Sequence, residues 1–430
     1  MNDKKVYIIG AGMAGLVAAY ELEAVGYRPV ILESSDSVGG RVRTDLKNGY
    51  LLDRGFQIFL TGYPEGKRYL DYDALNLKYF DPDMVILRSD GSMHVTDPFL
   101  NPAGIFSMAL SKVGNTKDKI KLFTISAGLM QKSEEQIFKT DVLTTREYFL
   151  ARGFSPEIIA NFLNPLFKGI FLEGELKTPS SMFEFVFKML HKGKVAIPEL
   201  GMQEIPNQLY GKLKNTAVRF NTMVKFVDGS VITLEDGEEI VADEIICTTL
   251  PTYLKDFKKE GEFNYHKVTN IYYAISRSFL AQPSIGLVPG ENFLINNLVF
   301  HTDVSPSYST TEKALLSVSI VNDTVGVEDL VARVAKELQV LSGIRSEYFE
   351  HIHTYEIEEA LPDIPVLKHD ILAVDCKIGE NVHLAGDYLL NPSLNAAMRS
   401  GRRAAESIIL KHNMEQNGGL KPIVMETELK

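Results

Sequence analysis

Residues 6–44 read VYIIGAGMAGLVAAYELEAVGYRPVILESSDSVGGRVRT. VYIIG is a short apolar run of mainly β-branched residues, as in a buried strand. AGLVAAYELEAVG has the apolar periodicity of a helix and ends at Gly26, a typical helix C-cap. RPVILE is a second strand-like run. A strand, a helix and a second strand in this order predict a βαβ unit and therefore an α/β fold.

The glycine-rich turn after the first strand has the spacing of a dinucleotide-binding site. Gly10 permits a tight turn, Gly12 lets the backbone approach a pyrophosphate, and Gly15 lets the helix pack closely on the sheet. The positive end of the helix dipole then faces the phosphates. The second strand ends at Glu33, 23 positions after Gly10 (33 − 10), where a carboxylate binds the hydroxyls of an unphosphorylated ribose. Glycines can serve packing alone, but the flanking elements and Glu33 favour a nucleotide.

A second glycine pair follows in SVGGRVRT, residues 37–44. Arg41 can donate a forked pair of hydrogen bonds to a phosphate oxygen; a solvated arginine in a glycine-rich loop is the alternative. The stretch from Glu33 to Thr44 resembles the GGRxxT segment of the flavin amine oxidase superfamily, which includes amine oxidases, protoporphyrinogen oxidase and carotenoid desaturases. The resemblance implies FAD, bound noncovalently, with Arg41 near its phosphates.

Two further segments resemble flavin-contacting parts of that superfamily. Asp53-Arg54-Gly55-Phe56-Gln57 is similar to its D-x-G stretch under the flavin, which makes Arg54 and Gln57 candidates for contacts with the ring or the substrate; an ordinary turn is the alternative. GMQEIPNQL, from residue 201, is similar to its G-M-x-x-I-P-x-x-L segment. The β-rich run that follows, with turns at Asp228-Gly229 and Asp236-Gly237, predicts hairpins. By resemblance alone, the backbone of Val224 contacts adenine.

Residues 382–403, VHLAGDYLLNPSLNAAMRSGRR, resemble the segment that closes over the flavin in the same superfamily. A buried strand delivers Gly386 and Asp387, and a carboxylate at Asp387 can accept hydrogen bonds from ribityl hydroxyls. A long helix begins near Ser393. Its N-terminal N–H groups can stabilise the negative charge that develops on flavin as it takes a hydride. The predicted cofactor-binding residues are Gly10, Ala11, Gly12, Met13, Ala14, Gly15, Glu33, Ser34, Gly39, Gly40, Arg41, Arg54, Gly55, Phe56, Gln57, Val224, Gly386, Asp387, Ser393, Leu394, Asn395 and Ala397.

The substrate class is suggested by departures from the amine oxidases. Asn270 stands where their flavin-side lysine would fall, and Ser393 replaces a tyrosine of their aromatic cage. The GDY ending is more similar to the carotene desaturase branch. We therefore expect hydride transfer to flavin N5 from a C–H bond of a lipophilic, isoprenoid- or polyene-like substrate, with O₂ or a quinone as the final acceptor. The alternatives are an amine oxidase that forms an imine and peroxide, and a flavin-dependent isomerase or non-catalytic FAD-binding protein. No catalytic residue is assigned.

The remaining segments predict a second domain with a mixed sheet and a helical insertion. The insertion, residues 101–195, is a helical subdomain with its own core, or a lid or membrane-contacting patch that admits a lipophilic substrate. His351, His353 and Tyr355 alternate on one strand face, but two histidines without a third ligand do not predict a metal site. We expect an FAD-binding domain from 1–65, 201–250 and 371–412, a substrate domain from 66–200 and 251–370, and a tail at 413–430.

Bulk composition limits the partners and the compartment. The net charge is −11 among 430 residues, which disfavours a nucleic-acid partner because phosphate binding needs a clustered positive field. Cys247 and Cys376 lie in no CxxC pattern, so neither zinc nor disulfide exchange is predicted. The first strand begins at once after the N-terminus, and no apolar run reaches ~18 residues. These features predict a cytoplasmic enzyme with a small-molecule substrate, with membrane contact limited to the periphery.

Overall fold

The structure is a computed structural model that describes residues 4–96, 114–139, 143–255, 264–290, 292–321 and 324–416. Contacts divide the chain into two compact units, each built from separate stretches of sequence. Unit 1 comprises residues 1–40, 206–262 and 370–430, and unit 2 comprises 41–205 and 263–369. This division differs from the predicted boundaries chiefly at residues 41–65. Those residues group with unit 2 because their hairpin bonds to Met202 and Tyr308.

The strands are β1 Val6–Ile9, β2 Val30–Leu32, β3 Thr44–Lys47, β4 Tyr50–Asp53, β5 Phe59–Leu60, β6 Leu77–Tyr79, β7 Asp83–Arg88, β8 Gly91–Thr96, β9 Val195–Pro198, β10 Ala217–Arg219, β11 Val224–Asp228, β12 Val231–Leu234, β13 Glu239–Val241, β14 Glu244–Cys247, β15 Asn264–Ile275, β16 Ile285–Leu287, β17 Ile295–Phe300, β18 Ala314–Ile320, β19 Glu350–Asp363, β20 Lys377–Ile378 and β21 Val382–Leu384.

The helices are α1 Met13–Ala24, α2 Pro64–Tyr69, α3 Thr116–Gln131, α4 Glu134–Phe138, α5 Thr145–Ala151, α6 Pro156–Ile158, α7 Asn164–Phe171, α8 Ser180–Lys192, α9 Glu204–Lys212, α10 His301–Val304, α11 Leu330–Ser342 and α12 Leu394–Gln416. A π-helical turn, Ile159–Leu163, joins α6 to α7. Helices α3, α4 and α5 each begin with a capping box, led by Asn115, Ser133 and Thr144.

Unit 1 is a mainly parallel sheet in the order β10-β2-β1-β14-β21-β20. β1 pairs in parallel with β2 and β14, and only the terminal β20 runs antiparallel to its neighbour among the described strands of this sheet. The predicted strands are therefore confirmed, with α1 connecting β1 to β2. Their parallel arrangement brings the carboxyl ends of β1 and β2, and thus Gly10 and Glu33, to the same edge of the sheet. β11, β12 and β13 form a separate antiparallel meander.

The two ends of the chain pack directly against each other inside unit 1. Helix α12 crosses α1 so closely that a Cβ atom added at Gly401 would lie 2.1 Å from the carbonyl oxygen of Ala14. Glycine is required at this crossing because any side chain would clash with backbone. The predicted nucleotide-binding stretch as far as Gly40 and the segment predicted to close over the flavin therefore lie in one compact unit.

Unit 2 contains a seven-stranded sheet in the order β19-β15-β18-β17-β16-β7-β8. Its neighbouring strands are antiparallel except β7 and β16, which are parallel. One face packs in an apolar core that includes Ile271, Tyr273, Leu298 and the buried side of α11. β5, β9 and β6 form a smaller antiparallel sheet, and β3 pairs with β4. The mixed α/β class with two units agrees with the fold predicted from sequence.

The helical part of the predicted insertion makes its own core. Phe149, Phe167 and Phe183 are fully buried, and their rings contact one another with centroids 4.9–6.1 Å apart. Residues 101–113, which carry its first apolar run, lie outside the described residues. Among the helices that the structure describes, none has the length and apolar character needed to cross a membrane.

Candidate functional site

The glycine turn of unit 1 has the geometry that its sequence predicts. Gly10 has φ +100°, and a Cβ there would lie 2.6 Å from Thr248 Oγ1. A Cβ at Gly15 would lie 2.1 Å from the carbonyl oxygen of Gly10. The backbone N–H of Gly10 donates to the Leu32 carbonyl oxygen at 2.8 Å, which ties the turn to β2. Both glycines are therefore required by close approach of neighbouring groups.

The N-terminus of α1 faces open space. Gly12 is the N-cap residue, so no side chain caps the helix. A Cβ atom added at Gly12 would have no neighbouring atom within 4 Å. The Gly39 N–H donates to the Ala11 carbonyl oxygen at 2.9 Å, and a Cβ at Gly40 would lie 3.4 Å from Gly12 Cα. The two glycine segments thus line one cradle. An anion such as a pyrophosphate fits here, where the dipole of α1 is positive. Ala11, Met13 and Ala14 are buried under the turn.

Glu33 is held beside this cradle by backbone donors. Its Oε2 accepts from the Ala11 N–H at 2.7 Å, and its Oε1 accepts from the Ser35 N–H and hydroxyl, each at 2.8 Å. Ser34 is exposed, with its hydroxyl 3.5 Å from Glu33 Oε1. The Thr222 N–H donates to the Glu33 carbonyl oxygen at 2.8 Å. This bond brings the start of β11, and hence Val224, near the carboxylate, as a nucleoside site needs.

The closing segment also folds into unit 1. Gly386 adopts φ +143°, and its N–H donates to Ser400 Oγ at 2.8 Å. Asp387 follows and is buried. Ser393 caps α12, because its hydroxyl accepts from the Ala396 N–H at 3.0 Å. Leu394 and Ala397 are half-buried and Asn395 is buried in the first turn of that helix.

The other predicted site residues lie in unit 2. Arg54 donates twice to Asp45, at 2.9 and 3.0 Å, and Gln57 Nε2 donates to the Arg41 carbonyl oxygen at 2.8 Å. The Arg41 guanidinium donates to the Ala360 carbonyl oxygen at 3.2 Å. Gly55 has φ +91°, and a Cβ there would lie 2.8 Å from Ile357 Cδ1. The arginine and glutamine side chains therefore secure the turn after β4.

The ring of Phe56 borders a buried polar cluster of Asp53, His301 and Tyr308, which was not predicted from the sequence. This ring meets that of His301 edge-on, with centroids 6.1 Å apart. His301 stacks on Tyr308, and its Nε2 lies 3.9 Å from Asp53 Oδ2. Asp53 accepts from Thr44 Oγ1 at 2.5 Å, the Met202 N–H at 3.0 Å and the Tyr308 hydroxyl at 2.8 Å.

Full burial decides the charges in this cluster. It raises the pKa of Asp53 to about 6 and lowers the pKa of His301 to about 3. His301 is therefore neutral near pH 7. Neither of its ring nitrogens has a hydrogen-bond partner among the described residues. Asp53 belongs to the D-x-G stretch that was identified in the sequence. No local sequence pattern marks His301 or Tyr308, because only tertiary packing brings them to Asp53.

The expectation that His351 shares a face with His353 and Tyr355 is wrong. A β-bulge shifts the pairing of β19, so that His353 opposes Tyr272 while His351 opposes Tyr273. Tyr273 lies on the apolar core face, and Tyr272 lies on the other. The extra residue in the bulge reverses the alternation of side chains.

The described residues do not support a metal site or a reactive thiol. Among those residues, no three histidine, cysteine or acidic side chains are grouped to hold a metal ion. Cys247 and Cys376 are free and buried. Burial raises the pKa of each thiol to about 12, so neither is a thiolate near pH 7.

Comparisons with known proteins agree with this geometry. The family model described as flavin containing amine oxidoreductase matches residues 13–409. An L-amino-acid oxidase from Sistrurus catenatus edwardsii is 40% identical over 279 residues, which are 58% of this chain and 51% of that protein. Protoporphyrinogen oxidase 2 from Arabidopsis thaliana is 25% identical over 169 residues, 39% of this chain and 33% of that protein.

These alignments span about half or less of the length of the curated relatives. The solved structure of an oxidoreductase from Methanosarcina mazei covers 94% of this chain and 99% of its own, with a TM-score of 0.72 and 16% identity. That likeness concerns the fold. The open helix terminus, the glycine cradle and Glu33 fit the nucleotide half of FAD, and the family match covers all but the ends of the chain. The chain therefore belongs to the flavin containing amine oxidoreductase family, and its cofactor is FAD.

Proposed function

We propose that this protein is an FAD-dependent oxidoreductase that dehydrogenates a largely apolar small molecule. The substrate loses a hydride and a proton and gains a C=C or C=N bond. FAD, when bound, supplies the two-electron acceptor, and O₂ or a quinone reoxidises it. The single observation that carries the proposal is the nucleotide site of unit 1: an uncapped helix N-terminus over open space, beside a carboxylate fixed by backbone donors.

In this proposal the residues of unit 1 bind and orient the cofactor. Gly12, Gly39 and Gly40 leave room for the pyrophosphate, and Glu33 accepts hydrogen bonds from ribose hydroxyls. Asp387 is proposed to accept hydrogen bonds from ribityl hydroxyls. The first turn of α12, from Ser393 onward, directs backbone N–H groups toward negative charge. Arg41 is proposed as a phosphate donor and Arg54, Gly55, Phe56 and Gln57 as ring or substrate contacts.

An apolar substrate, with contact to a membrane surface, is supported by exposed apolar side chains. Ile120, Phe123 and Met130 of α3 are 60%, 56% and 48% exposed. They recur at helical spacing on one side of the helix, and Lys117 lies in its first turn. Such a face can contact the headgroup region of a bilayer or an apolar substrate that is entering the protein.

Amine oxidation is the second candidate. It is favoured by the match to an L-amino-acid oxidase, whose 40% identity extends over 58% of this chain. In that case the product is an imine, and O₂ is reduced to hydrogen peroxide.

Anaerobic stopped-flow spectroscopy of the holoenzyme separates these functions. We expect apolar unsaturated lipids to bleach the bound flavin faster than primary amines, polyamines or L-amino acids. Fast bleaching by an amine or amino acid, with peroxide release in air and none by any lipid tested, supports amine oxidation instead. Net conversion of substrate without flavin bleaching or acceptor consumption indicates an isomerase. FAD binding without conversion of any substrate indicates a non-catalytic role.

A further inference from the structure

The polar cluster of Asp53, His301 and Tyr308 contains a carboxylate that gathers hydrogen-bond donors from several elements. Asp53 ends β4 and is fully buried. Its Oδ1 accepts from Thr44 Oγ1 at 2.5 Å and from the Met202 N–H at 3.0 Å, and its Oδ2 accepts from the Tyr308 hydroxyl at 2.8 Å. Among the described residues, no lysine or arginine pairs with Asp53. Three donors without a cation surround this carboxylate.

His301 lies beside the carboxylate with both ring nitrogens unused. Its Nε2 is 3.9 Å from Asp53 Oδ2, too far for a hydrogen bond, and neither ring nitrogen has a partner in the described part of the chain. The ring is fully buried and stacks on Tyr308, with centroids 4.9 Å apart. Burial lowers the pKa of His301 to about 3, so the ring is neutral above about pH 5. A neutral imidazole has one nitrogen that can accept a hydrogen bond.

Asp53 is the group in this neighbourhood that changes charge near neutral pH. Burial raises its pKa to about 6. Three tyrosine hydroxyls lie around it, and burial followed by the neighbouring carboxylates raises their pKa values above the usual 10: those of Tyr272, Tyr308 and Tyr355. Although burial opposes the charge of Asp45, hydrogen bonds from Arg54 and Tyr355 lower the pKa of that carboxyl group. Between about pH 5 and 8, the tyrosines therefore stay neutral and Asp45 stays charged.

When Asp53 is protonated, one arrangement keeps all the donors to its carboxyl group paired. The new O–H group on Oδ2 needs an acceptor, because a buried donor without one destabilises the fold. If it donated to Tyr308, the Tyr308 hydroxyl would lose its acceptor among the described residues. If it donates to His301 Nε2, the three existing hydrogen bonds to the carboxyl group remain. The two side chains must approach by about 1 Å to reach hydrogen-bonding distance.

Phe56 connects this cluster to the proposed ligand contacts. Its ring meets that of His301 edge-on with centroids 6.1 Å apart, and it is half-buried in the turn after β4. We propose that Asp53 is a positioning residue: when it is protonated, its O–H donates to His301 Nε2 and the moving imidazole shifts Phe56 against the flavin ring. This inference rests on the proposed function and, of the two contacts proposed there for Phe56, takes the flavin ring.

The test is a titration of the oxidised holoenzyme from about pH 8 to about pH 5, without substrate. The visible absorption spectrum of bound FAD reports the placement of Phe56, and infrared difference spectra report the C=O stretch of a protonated carboxyl group. In wild type both signals should change together, with an apparent pKa near 6. Asp53→Asn should lose both changes. His301→Phe, which keeps a ring against Tyr308 but has no acceptor, should lose the change in the flavin spectrum.

Asp118→Asn is the matched control. Asp118 is also buried and accepts from two backbone N–H groups and one hydroxyl, those of Asn115 and Ser155, but it lies in α3. This variant should titrate as wild type does. The inference is overturned if neither wild-type signal changes over this range, or if one changes without the other.

A flavin change that survives in Asp53→Asn or in His301→Phe also overturns the inference. If Asp53→Asn does not fold, His301→Phe and the wild-type titration still decide between the outcomes. Because the titration uses oxidised FAD, it does not depend on turnover. The expected pH changes without flavin reduction by any substrate would therefore contradict the proposed function and leave the role of Asp53 intact.

Discussion

Glu33 is the residue on which nucleotide binding depends most directly. Its carboxylate bridges the glycine turn and the residues after β2. We predict that Glu33→Gln, which keeps the size of the side chain and loses its charge, weakens FAD binding about ten- to a hundred-fold, because a charge-assisted hydrogen bond is worth roughly 1.5–3 kcal/mol. Arg41→Ala should act in the same direction. Titration of apoprotein with FAD measures both.

Glu23→Gln is the control for this prediction. Glu23 also accepts backbone N–H groups, from Lys214 and Asn215, but it lies near the opposite end of α1. Its substitution should leave the affinity for FAD unchanged. An unaltered affinity in Glu33→Gln would refute the role assigned to that carboxylate.

Glu244 makes the stability of unit 1 dependent on pH. This buried carboxylate accepts from His383 and His412 Nε2, each at 3.0 Å, and from Lys411. Although burial opposes the charge, these donors lower its pKa from 4.5 to about 2. Because the folded-state pKa is depressed, the stabilisation is present above pH ~5 and is lost as the pH falls toward 2.

We predict that the free energy of unfolding falls by on the order of 3 kcal/mol more in wild type than in Glu244→Gln between pH 5 and 2. Urea unfolding at several pH values measures this difference. Glu238→Gln serves as the comparison, since Glu238 pairs with Arg219 in an exposed ion pair that contributes little to stability. Parallel acid profiles for wild type and Glu244→Gln would contradict the prediction.

At the scale of elements, unit 1 depends on the crossing of α1 and α12. Gly401→Ala would put a Cβ 2.1 Å from the Ala14 carbonyl oxygen. The two helices must move apart, and we predict a loss of about 1–3 kcal/mol in the free energy of unfolding, together with weaker FAD binding. Gly211→Ala in α9 is the control: a Cβ there meets nothing within 4 Å. That change should be neutral or stabilising by up to ~1 kcal/mol. If Gly401→Ala and Gly211→Ala changed the free energy of unfolding equally, α1 and α12 would not be packed as closely as proposed.

At the scale of the whole molecule, we predict that the purified protein is yellow and releases intact FAD on acid precipitation. Both cysteines are buried with raised pKa values, so a thiolate is not available to form a bond to the flavin. Added FAD should raise the melting temperature of apoprotein, with a stabilisation of about 2.7 kcal/mol at 100 times Kd. Flavin that remains with the precipitated protein would contradict noncovalent binding.

The amino-acid sequence by itself determined the βαβ unit, the turn glycines and the position of Glu33. These features are local, since strand and helix periodicity, a glycine turn and the acidic end of β2 are all read within residues 6–44. A mixed sheet in the second domain was likewise predicted from the sequence.

Only the tertiary structure decided which distant residues meet. It paired Arg54 with Asp45, placed His301 beside Asp53, and reversed the direction of His351 by a bulge in β19. It also directed the hydroxyls of Ser317 and Ser319 to Asn270 Oδ1. The physical reason is that such contacts depend on strand register and on packing between segments far apart in the chain, and one inserted residue in a strand turns every later side chain to the other face.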